Sequence, residues 1–277
     1  MNNYSIPRHI WRVVWPALLF LGIQFAAGLT ISTIVSVSRG DPLAGANYAA
    51  ENPLVILLVC FSAALVVFAT LWFKTKKTHP ELNDGKLKAV FIVLALIMFA
   101  GYSLLVSSLL ANTTIIEHFP SIEQVAANLQ GAFVLQIIVI GLLAPFTEEF
   151  LVRGLILNRL NAWTPTWVAV LVSSLIFGLL HMNMFQFINT TILGLLFGFV
   201  YIRTKNLLIP ILAHIANNMT GVILGQILKT TGAEEVPFMP LAIPGAVAAV
   251  ICAVMIYRFS KPASIAESNP AETITGD

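Results

Sequence analysis

The sequence predicts an all-α, polytopic membrane protein with about eight transmembrane helices around an intramembrane cavity. Hydrophobic residues make up 58% of the 277-residue chain and charged residues only 10%, against about 25% charged in a typical soluble domain. The mean hydropathy is +0.87. Apolar runs of about 20 residues, the length that crosses a bilayer as a helix, recur along the chain. This composition excludes a water-soluble fold and predicts an integral, multi-pass membrane protein.

Eight apolar stretches reach or approach the length of a membrane span, and Pro, Gly, Asn or charged residues separate them. They cover residues 11–37, 53–73, 88–111, 131–159, 165–182, 186–203, 206–228 and 240–259. We expect residues 1–259 to form a single transmembrane domain. The polar segment 260–277 is expected to be a disordered cytoplasmic tail. Between the third and fourth spans, Ser121 is expected to cap a short interfacial helix that reaches about Asn128.

The basic residues are distributed unequally between the two sides of the predicted bundle. With eight spans, the gaps on the side of the termini contain thirteen of the 15 Lys and Arg residues, and the opposite gaps contain only Arg39 and Lys229. Cytoplasmic loops carry an excess of Lys and Arg. Both termini are therefore predicted to be cytoplasmic.

Two adjacent carboxylates and an arginine lie near the end of the fourth apolar stretch: Glu148, Glu149 and Arg153. Residues four apart share a helix face, so Glu149 and Arg153 can neutralise each other. Glu148 is turned by about 100° from Glu149. It is expected to be the free carboxylate that faces a wet cavity, where it would suit the role of general base. The alternative is a solvated helix end at the membrane surface.

Two histidines lie in later apolar stretches. His181 closes the fifth predicted span with Phe177 one turn before it, and His214 lies in the seventh with Asn218 one turn after it. A single histidine on an apolar helix is more often structural than catalytic. Two histidines together with a paired acidic motif favour a function, because ionisable residues in membranes are rare and face a bundle interior or a water-filled cavity. We therefore predict an enzyme that transfers protons within the bilayer.

Whether these groups meet depends on where the fourth span ends. If the helix continues to about Leu160, Glu148 lies roughly 18 Å inside it at 1.5 Å per residue, and helix tilt can bring it to the histidines. If the helix ends at Phe150, Glu148 lies near the surface and the groups do not converge.

Two pairs of glycines are spaced four residues apart, Gly194 with Gly198 and Gly221 with Gly225. Small residues at this spacing allow helix backbones to approach closely in lipid. The pairs predict tight helix contacts in the sixth and seventh spans. Chance is the alternative explanation, because glycine is frequent in membrane helices.

At these motifs the chain resembles the CPBP family of CAAX proteases and bacteriocin-processing enzymes, also called the ABI family, which is related to type II CAAX prenyl endopeptidases. The family pattern is Glu-Glu-x-x-x-Arg, then Phe-x-x-x-His, then His-x-x-x-Asn. Here it is matched in the same order by residues 148–153, 177–181 and 214–218. Each motif alone is weak, and the three together are fairly specific. The resemblance covers residues 131–228.

The resemblance implies an endopeptidase that hydrolyses a peptide bond of a membrane-associated, peptide or prenylated substrate. By this resemblance, Glu148 with His181 would activate water. His214 with Asn218 would stabilise the oxyanion of the tetrahedral intermediate. Three further residues would support the site: Glu149, Arg153 and Phe177. The expected partners are the peptide or protein substrate, with or without a lipid modification, and membrane lipids, but no nucleic acid.

No cofactor is certain from the sequence. Two His and one Glu match the ligand set of many catalytic zinc sites, so Glu148, His181 and His214 would be the ligands if a divalent metal such as zinc is present. Without a metal, Glu148 takes the proton itself and the oxyanion donors contribute more. The chain has no His-Glu-x-x-His motif, and the metal-free scheme is slightly favoured.

Two other functions are open alternatives. One is a non-catalytic protein of the bacteriocin-immunity or scaffold type, which keeps the fold and binds a partner. The other, less favoured, is a proton-coupled transporter. Such carriers often contain two matching inverted halves, and no internal repeat is evident in this sequence.

Overall fold

The computed structural model describes residues 6–78, 83–110, 132–231 and 239–260, and these residues form nine helices and no strand. The all-α prediction is confirmed. The predicted interfacial helix near residues 121–128 and the predicted tail beyond Ser260 lie outside the described residues. The helices are α1 (Ile6–Arg39), α2 (Ala44–Glu51), α3 (Pro53–Thr78), α4 (Ala89–Leu110), α5 (Phe133–Asn161), α6 (Thr166–Leu179), α7 (Met184–Thr204), α8 (Leu208–Thr231) and α9 (Met239–Phe259).

Seven of these helices, all except α2 and α6, are long and apolar enough to cross a membrane. The difference from the predicted eight lies in the fifth span, because α6 has only 14 residues. At 1.5 Å per residue it is about 21 Å long, whereas the hydrocarbon core of a bilayer is about 30 Å thick. The cytoplasmic placement of both termini stays a prediction.

The turn between α6 and α7 corrects the predicted position of His181. The prediction that His181 closes a helical span is wrong, because α6 ends at Leu179 and His181 lies in the turn that follows. Asn183 caps α7, since its side-chain oxygen accepts the backbone N–H of Gln186 over 3.1 Å. An Asn followed three residues later by Gln is a readable helix-start signal. That signal would have placed His181 before the new helix.

The long helix α5 is irregular in its middle. π-helical turns over Ile137–Leu143 and Phe150–Leu157 flank a short α-helical segment, Ala144–Glu149. In the first π-helical turn the N–H of Ala144 donates to the carbonyl of Val139, five residues earlier. Turns of this kind within an α-helix are frequent at functional sites.

The same helix continues to Asn161, well beyond the carboxylates. Glu148 therefore lies about 20 Å from the end of α5 at 1.5 Å per residue. Of the two helix ends considered from the sequence, Leu160 and Phe150, the structure agrees with the first. Glu148 therefore lies deep enough in the helix bundle to approach the histidines.

Buried apolar side chains form two clusters. The first lies mainly among α1, α3, α5 and α6 and includes Phe68, Leu155 and Phe177. The second joins α4, α7, α8 and α9 and includes Phe99 and Phe197. Helix pairs α4 with α9 and α6 with α7 pack most extensively. The candidate site lies where the two clusters meet, since its acids come from α5 and one of its histidines from α8.

The two glycine pairs have different surroundings. A Cβ atom placed on Gly194 would lie 2.9 Å from the Cβ of Ser174 in α6, and one on Gly198 would lie 3.0 Å from a side chain of the same helix. These glycines therefore allow α6 and α7 to touch, as predicted. A Cβ atom placed on Gly221 or Gly225 would meet no neighbouring atom of the described residues within 4 Å. The predicted close contact at this second pair is wrong.

Candidate active site

A buried charged network joins α5 to α7. Arg153 Nη1 donates to Glu149 Oε1 over 2.9 Å, and both side chains are 0% exposed. Arg153 Nη2 donates to the backbone carbonyl of Gly194 over 2.9 Å. The guanidinium also lies over the rings of Phe177 and Phe197, 4.8 and 5.2 Å from their centres. The ion pair expected from the spacing of Glu149 and Arg153 is present, and it connects two helices.

His214 of α8 lies between the two carboxylates of α5. Its Nδ1 is 2.9 Å from Glu149 Oε1, and its Nε2 is 3.7 Å from Glu148 Oε2. An ionised carboxylate only accepts hydrogen bonds, so His214 Nδ1 donates to Glu149. The gap between Nε2 and Glu148 exceeds a direct hydrogen bond, and a polar gap of this size is one that a single water can bridge.

The second partner of Glu149 was missed by sequence reasoning. Helix spacing predicts the contact of Glu149 with Arg153, four residues later, and gives no indication of a second partner. His214 lies 65 residues further along the chain, and no spacing rule connects positions on separate helices. The structure therefore makes Glu149 the shared acceptor of a guanidinium and an imidazole.

The adjacent carboxylate, Glu148, has a more open environment. Its side chain is 13% exposed, whereas that of Glu149 is 0% exposed. The division expected from the sequence, with Glu149 in an ion pair and Glu148 outside it, agrees with this geometry.

Phe177 brings the two histidines into one site. Its ring meets the imidazole of His181 edge-on at 5.1 Å between centres and the imidazole of His214 edge-on at 6.0 Å. On the other side, Phe197 stacks on His214 at 4.6 Å. The rings therefore fix the orientation of His214 and hold His181 close to it.

His181 is half-buried, and its Nδ1 is 2.9 Å from the backbone carbonyl of Phe177. A carbonyl oxygen only accepts, so Nδ1 carries the hydrogen and Nε2 is left as the ring's acceptor. Within the described residues the structure contains no hydrogen bond or ion pair between His181 and Glu148. Their joint activation of water stays a prediction.

Asn218 supports the irregular part of α5. Its Nδ2 donates to the carbonyl of Ile140 over 3.0 Å. Ala144 donates to the carbonyl five residues before it. In the same pattern, residue 145 would donate to the Ile140 carbonyl, but residue 145 is proline and has no N–H. Asn218 thus replaces a missing backbone donor. Since a carboxamide has two N–H groups, one is still available for the oxyanion role that the resemblance implies.

Further amides connect α4 to the same region. Tyr102 donates to Asn189 Oδ1 over 2.7 Å, and Ser103 donates to Asn217 Oδ1 over 2.8 Å. These bonds join α4 to α7 and to α8 within the second cluster. The sequence pattern does not reveal which residues pair in them.

The predicted metal ligands do not form a metal site in this arrangement. Across the described parts of the chain, no three His, Cys, Asp or Glu side chains are grouped so that they could hold a metal ion. Glu148 and His214 face each other, whereas the contact that connects His181 to His214 in the described part of the chain runs through the ring of Phe177. The residues therefore do not fit the metal as they stand.

The chain matches known proteins over this region. Residues 130–220 match the family model described as type II CAAX prenyl endopeptidase Rce1-like. The match contains the acidic motif, both histidines and Asn218. No solved structure matches the chain significantly.

Two relatives cover most of the chain. YdiL of Bacillus subtilis (strain 168), named as a membrane peptidase, is 27% identical over 230 residues, which are 78% of this chain and 89% of YdiL. The membrane-embedded CAAX protease MroQ of Staphylococcus aureus (strain USA300) is 28% identical over 224 residues, 76% of this chain and 87% of MroQ. The resemblance inferred from the three motifs is confirmed. The chain is an integral, multi-pass membrane protein, and over residues 130–220 it is similar to the Rce1-like family of type II CAAX prenyl endopeptidases.

Proposed function

We propose that this protein is an intramembrane endopeptidase in which Glu148 activates the water that attacks the scissile carbonyl. The position of His214 supports this assignment most directly. Its Nδ1 is fixed by the buried Glu149 at 2.9 Å, and its Nε2 faces the more exposed Glu148 across 3.7 Å. A carboxylate that is open to water beside an oriented imidazole is the arrangement that general-base hydrolysis requires.

The reaction proceeds in two steps on the chain's own groups. Glu148 accepts a proton as the water oxygen forms a bond to the carbonyl carbon, and the carbonyl π electrons move to the oxygen to give an oxyanion. The C–N bond then breaks, and Glu148 returns its proton to the leaving nitrogen. The products are a carboxylate-terminated peptide and an amine-terminated peptide. His181, held by the Phe177 carbonyl, is assigned to orient the water with Glu148.

The oxyanion is assigned to His214 and Asn218. Because His214 gives its Nδ1 hydrogen to Glu149, it can donate to the oxyanion only from a protonated Nε2, so the imidazolium form acts in this step. Asn218 contributes the N–H that is not used by the Ile140 carbonyl. Fixed donors of this kind contribute about 10²–10³-fold each to the rate of acyl transfer.

The substrate class follows from the family and from the location. The family description names prenyl endopeptidases, and a site among apolar helices favours a peptide that is itself held in the membrane, with or without a prenyl group. We also assign both termini to the cytoplasmic side, since most Lys and Arg residues lie on the side of the termini in an eight-span arrangement. Because both termini lie on the same side only with an even number of spans, this assignment requires the short helix α6 to cross the membrane as well.

The test compares purified wild-type protein with Glu148→Gln in nanodiscs, on a fluorogenic prenylated peptide and on its unprenylated form. Glu148→Gln is expected to lower kcat by about 10²–10⁴-fold, the usual contribution of a general base. Glu51→Gln, an exposed residue at the end of α2, is the matched control and is expected to retain wild-type turnover.

For a substrate that is not yet known, the same two variants are compared by membrane proteomics in cells. A peptide that is cut with wild type and Glu51→Gln but intact with Glu148→Gln identifies the substrate. Unchanged cleavage by Glu148→Gln in either assay contradicts the assignment of the base.

Metal dependence has a separate test. We assign the metal-free scheme, because the arrangement of Glu148, His181 and His214 does not form a ligand group. Dialysis of the active protein against a chelator is expected to leave turnover unchanged. Elemental analysis of the dialysed protein is expected to find less than one metal ion per chain. Loss of activity that zinc restores would contradict the metal-free scheme and leave the peptidase assignment intact.

A further inference from the structure

A small cationic cavity lies at the C-terminal end of α5, where α5 meets the start of α1. It has a volume of about 50 Å³. A cavity needs about 10–15 Å³ on this measure to hold one water, so there is room for roughly three to five water-sized groups. Five residues line it, and none of the five is acidic: His9, Arg12, Arg159, Ala162 and Trp163.

The two arginines are brought together from separate helices. Arg159 Nη1 donates to the backbone carbonyl of Arg12 over 2.7 Å. The guanidinium of Arg159 lies over the ring of Trp15, 5.1 Å from its centre. This contact holds Arg159 at the cavity wall beside Arg12. Two like charges at one small cavity repel each other, and an anion between them would remove that cost.

The surrounding tryptophans place this cavity at the level of the lipid headgroups. Trp11, Trp163 and Trp167 are 59%, 41% and 70% exposed on the outer surface at this end of the bundle. Tryptophan is enriched at the membrane–water interface, because its ring is apolar and its N–H is polar. The ring of His9 lies 5.3 Å from that of Trp163. The cavity therefore opens at the depth at which phospholipid phosphates lie.

We propose that this cavity binds a phosphate group between Arg12 and Arg159. Guanidinium groups are planar and donate paired hydrogen bonds that match phosphate oxygens. Basic pockets between membrane helices are known to bind phosphorylated lipid headgroups. The same chemistry would accept dissolved phosphate, and the two sources are separated experimentally. The site lies apart from the carboxylates, about 16 Å along α5 from Glu148 at 1.5 Å per residue.

The experiment titrates the delipidated, full-length protein in detergent and counts bound lipid by native mass spectrometry. The probes are phosphatidylglycerol, diacylglycerol, which lacks the phosphate, and inorganic phosphate as a competitor. The test variants are Arg12→Gln, Arg159→Gln and the double variant. Arg39→Gln is the matched control, because Arg39 is an exposed arginine at the other end of α1.

Wild type and Arg39→Gln are expected to bind the first phosphatidylglycerol more tightly than diacylglycerol. Each cavity arginine removed is expected to weaken phosphatidylglycerol binding about fivefold, with diacylglycerol binding unchanged. If millimolar inorganic phosphate does not compete, the source is the lipid headgroup. If it competes in wild type and not in the double variant, dissolved phosphate also binds. Both results support the phosphate site.

Equal phosphatidylglycerol binding by the double variant and by Arg39→Gln overturns the proposal. If the double variant does not fold, the Ala162→Trp variant tests the proposal instead. Ala162 is an exposed residue of the cavity wall, and the larger side chain fills the cavity without removing a charge. Ala162→Trp is expected to bind phosphatidylglycerol more weakly than Arg39→Gln does, because the indole occupies the space that the phosphate needs. Wild-type binding by a folded Ala162→Trp protein equally overturns the proposal.

Discussion

Glu148 and Glu149 are neighbours on one helix, yet their surroundings are opposite. Glu149 is completely buried and accepts hydrogen bonds from Arg153 and His214, both over 2.9 Å. Glu148 is partly exposed, and its oxygen lies 3.7 Å from His214 Nε2, beyond direct hydrogen-bond distance. A buried charge is tolerated only with close partners. The comparison therefore separates a carboxylate that holds the site together from one that is free to react.

The largest expected effect on stability comes from removing the cation of the buried network. Arg153→Ala leaves Glu149 buried without its ion-pair partner, and breaking a buried pair in this way costs about 3–5 kcal/mol. It also removes the bond to the Gly194 carbonyl of α7. We expect a clearly lower free energy of unfolding in a detergent unfolding titration.

Arg39→Ala is the control, because Arg39 is exposed and such substitutions usually change stability by less than about 0.5 kcal/mol. If Arg153→Ala unfolded at the same denaturant concentration as this control, the buried network would have no structural role. The contrast between the two carboxylates would then be lost.

A smaller effect is expected from Asn218→Ala. The change leaves the part-buried Ile140 carbonyl without the donor that replaces the missing N–H of Pro145. An unsatisfied buried acceptor costs about 1–3 kcal/mol, and a part-buried one is expected at the lower end of this range. Asn47→Ala, at an exposed position of α2, is the control. An Asn218→Ala protein as stable as Asn47→Ala would show that the irregular turn of α5 does not depend on this amide.

The smallest expected changes in stability come from replacing one glycine of each pair with alanine. Gly194→Ala would place a Cβ 2.9 Å from Ser174, and forcing extra volume into a packed contact costs about 1–3 kcal/mol. Gly221→Ala meets no described atom within 4 Å and is expected to stabilise the helix by about 0.5–1 kcal/mol. Thermal melts of both variants in one detergent provide the measurement. Equal shifts of the same sign would contradict the packing difference.

Much of the scaffold was predictable because its causes are local. Hydropathy and length predict eight spans, and seven of them are helices long enough to cross a membrane, since each helix must satisfy its own backbone in lipid. The Glu149–Arg153 pair follows from the four-residue spacing, and the joint presence of the three motifs indicated a shared site.

The parts that could not be predicted depend on contacts between distant helices. The bond from His214 to Glu149 joins residues 65 positions apart, and the π-helical turns of α5 leave no mark on hydrophobic periodicity. The position of His181 was predicted wrongly for a different reason. Hydropathy continues through the turn after Leu179, and only the Asn183 cap marks the new helix.

The central claim is that the reactive carboxylate is Glu148 and the structural one is Glu149. The most direct test measures the melting temperature and the peptidase turnover of Glu148→Gln and Glu149→Gln side by side in the same nanodiscs. We predict that Glu148→Gln melts like wild type and loses turnover, whereas Glu149→Gln melts at a clearly lower temperature because Arg153 loses its counter-charge. A Glu148→Gln protein with wild-type turnover, or a Glu149→Gln protein with wild-type melting, would contradict the account.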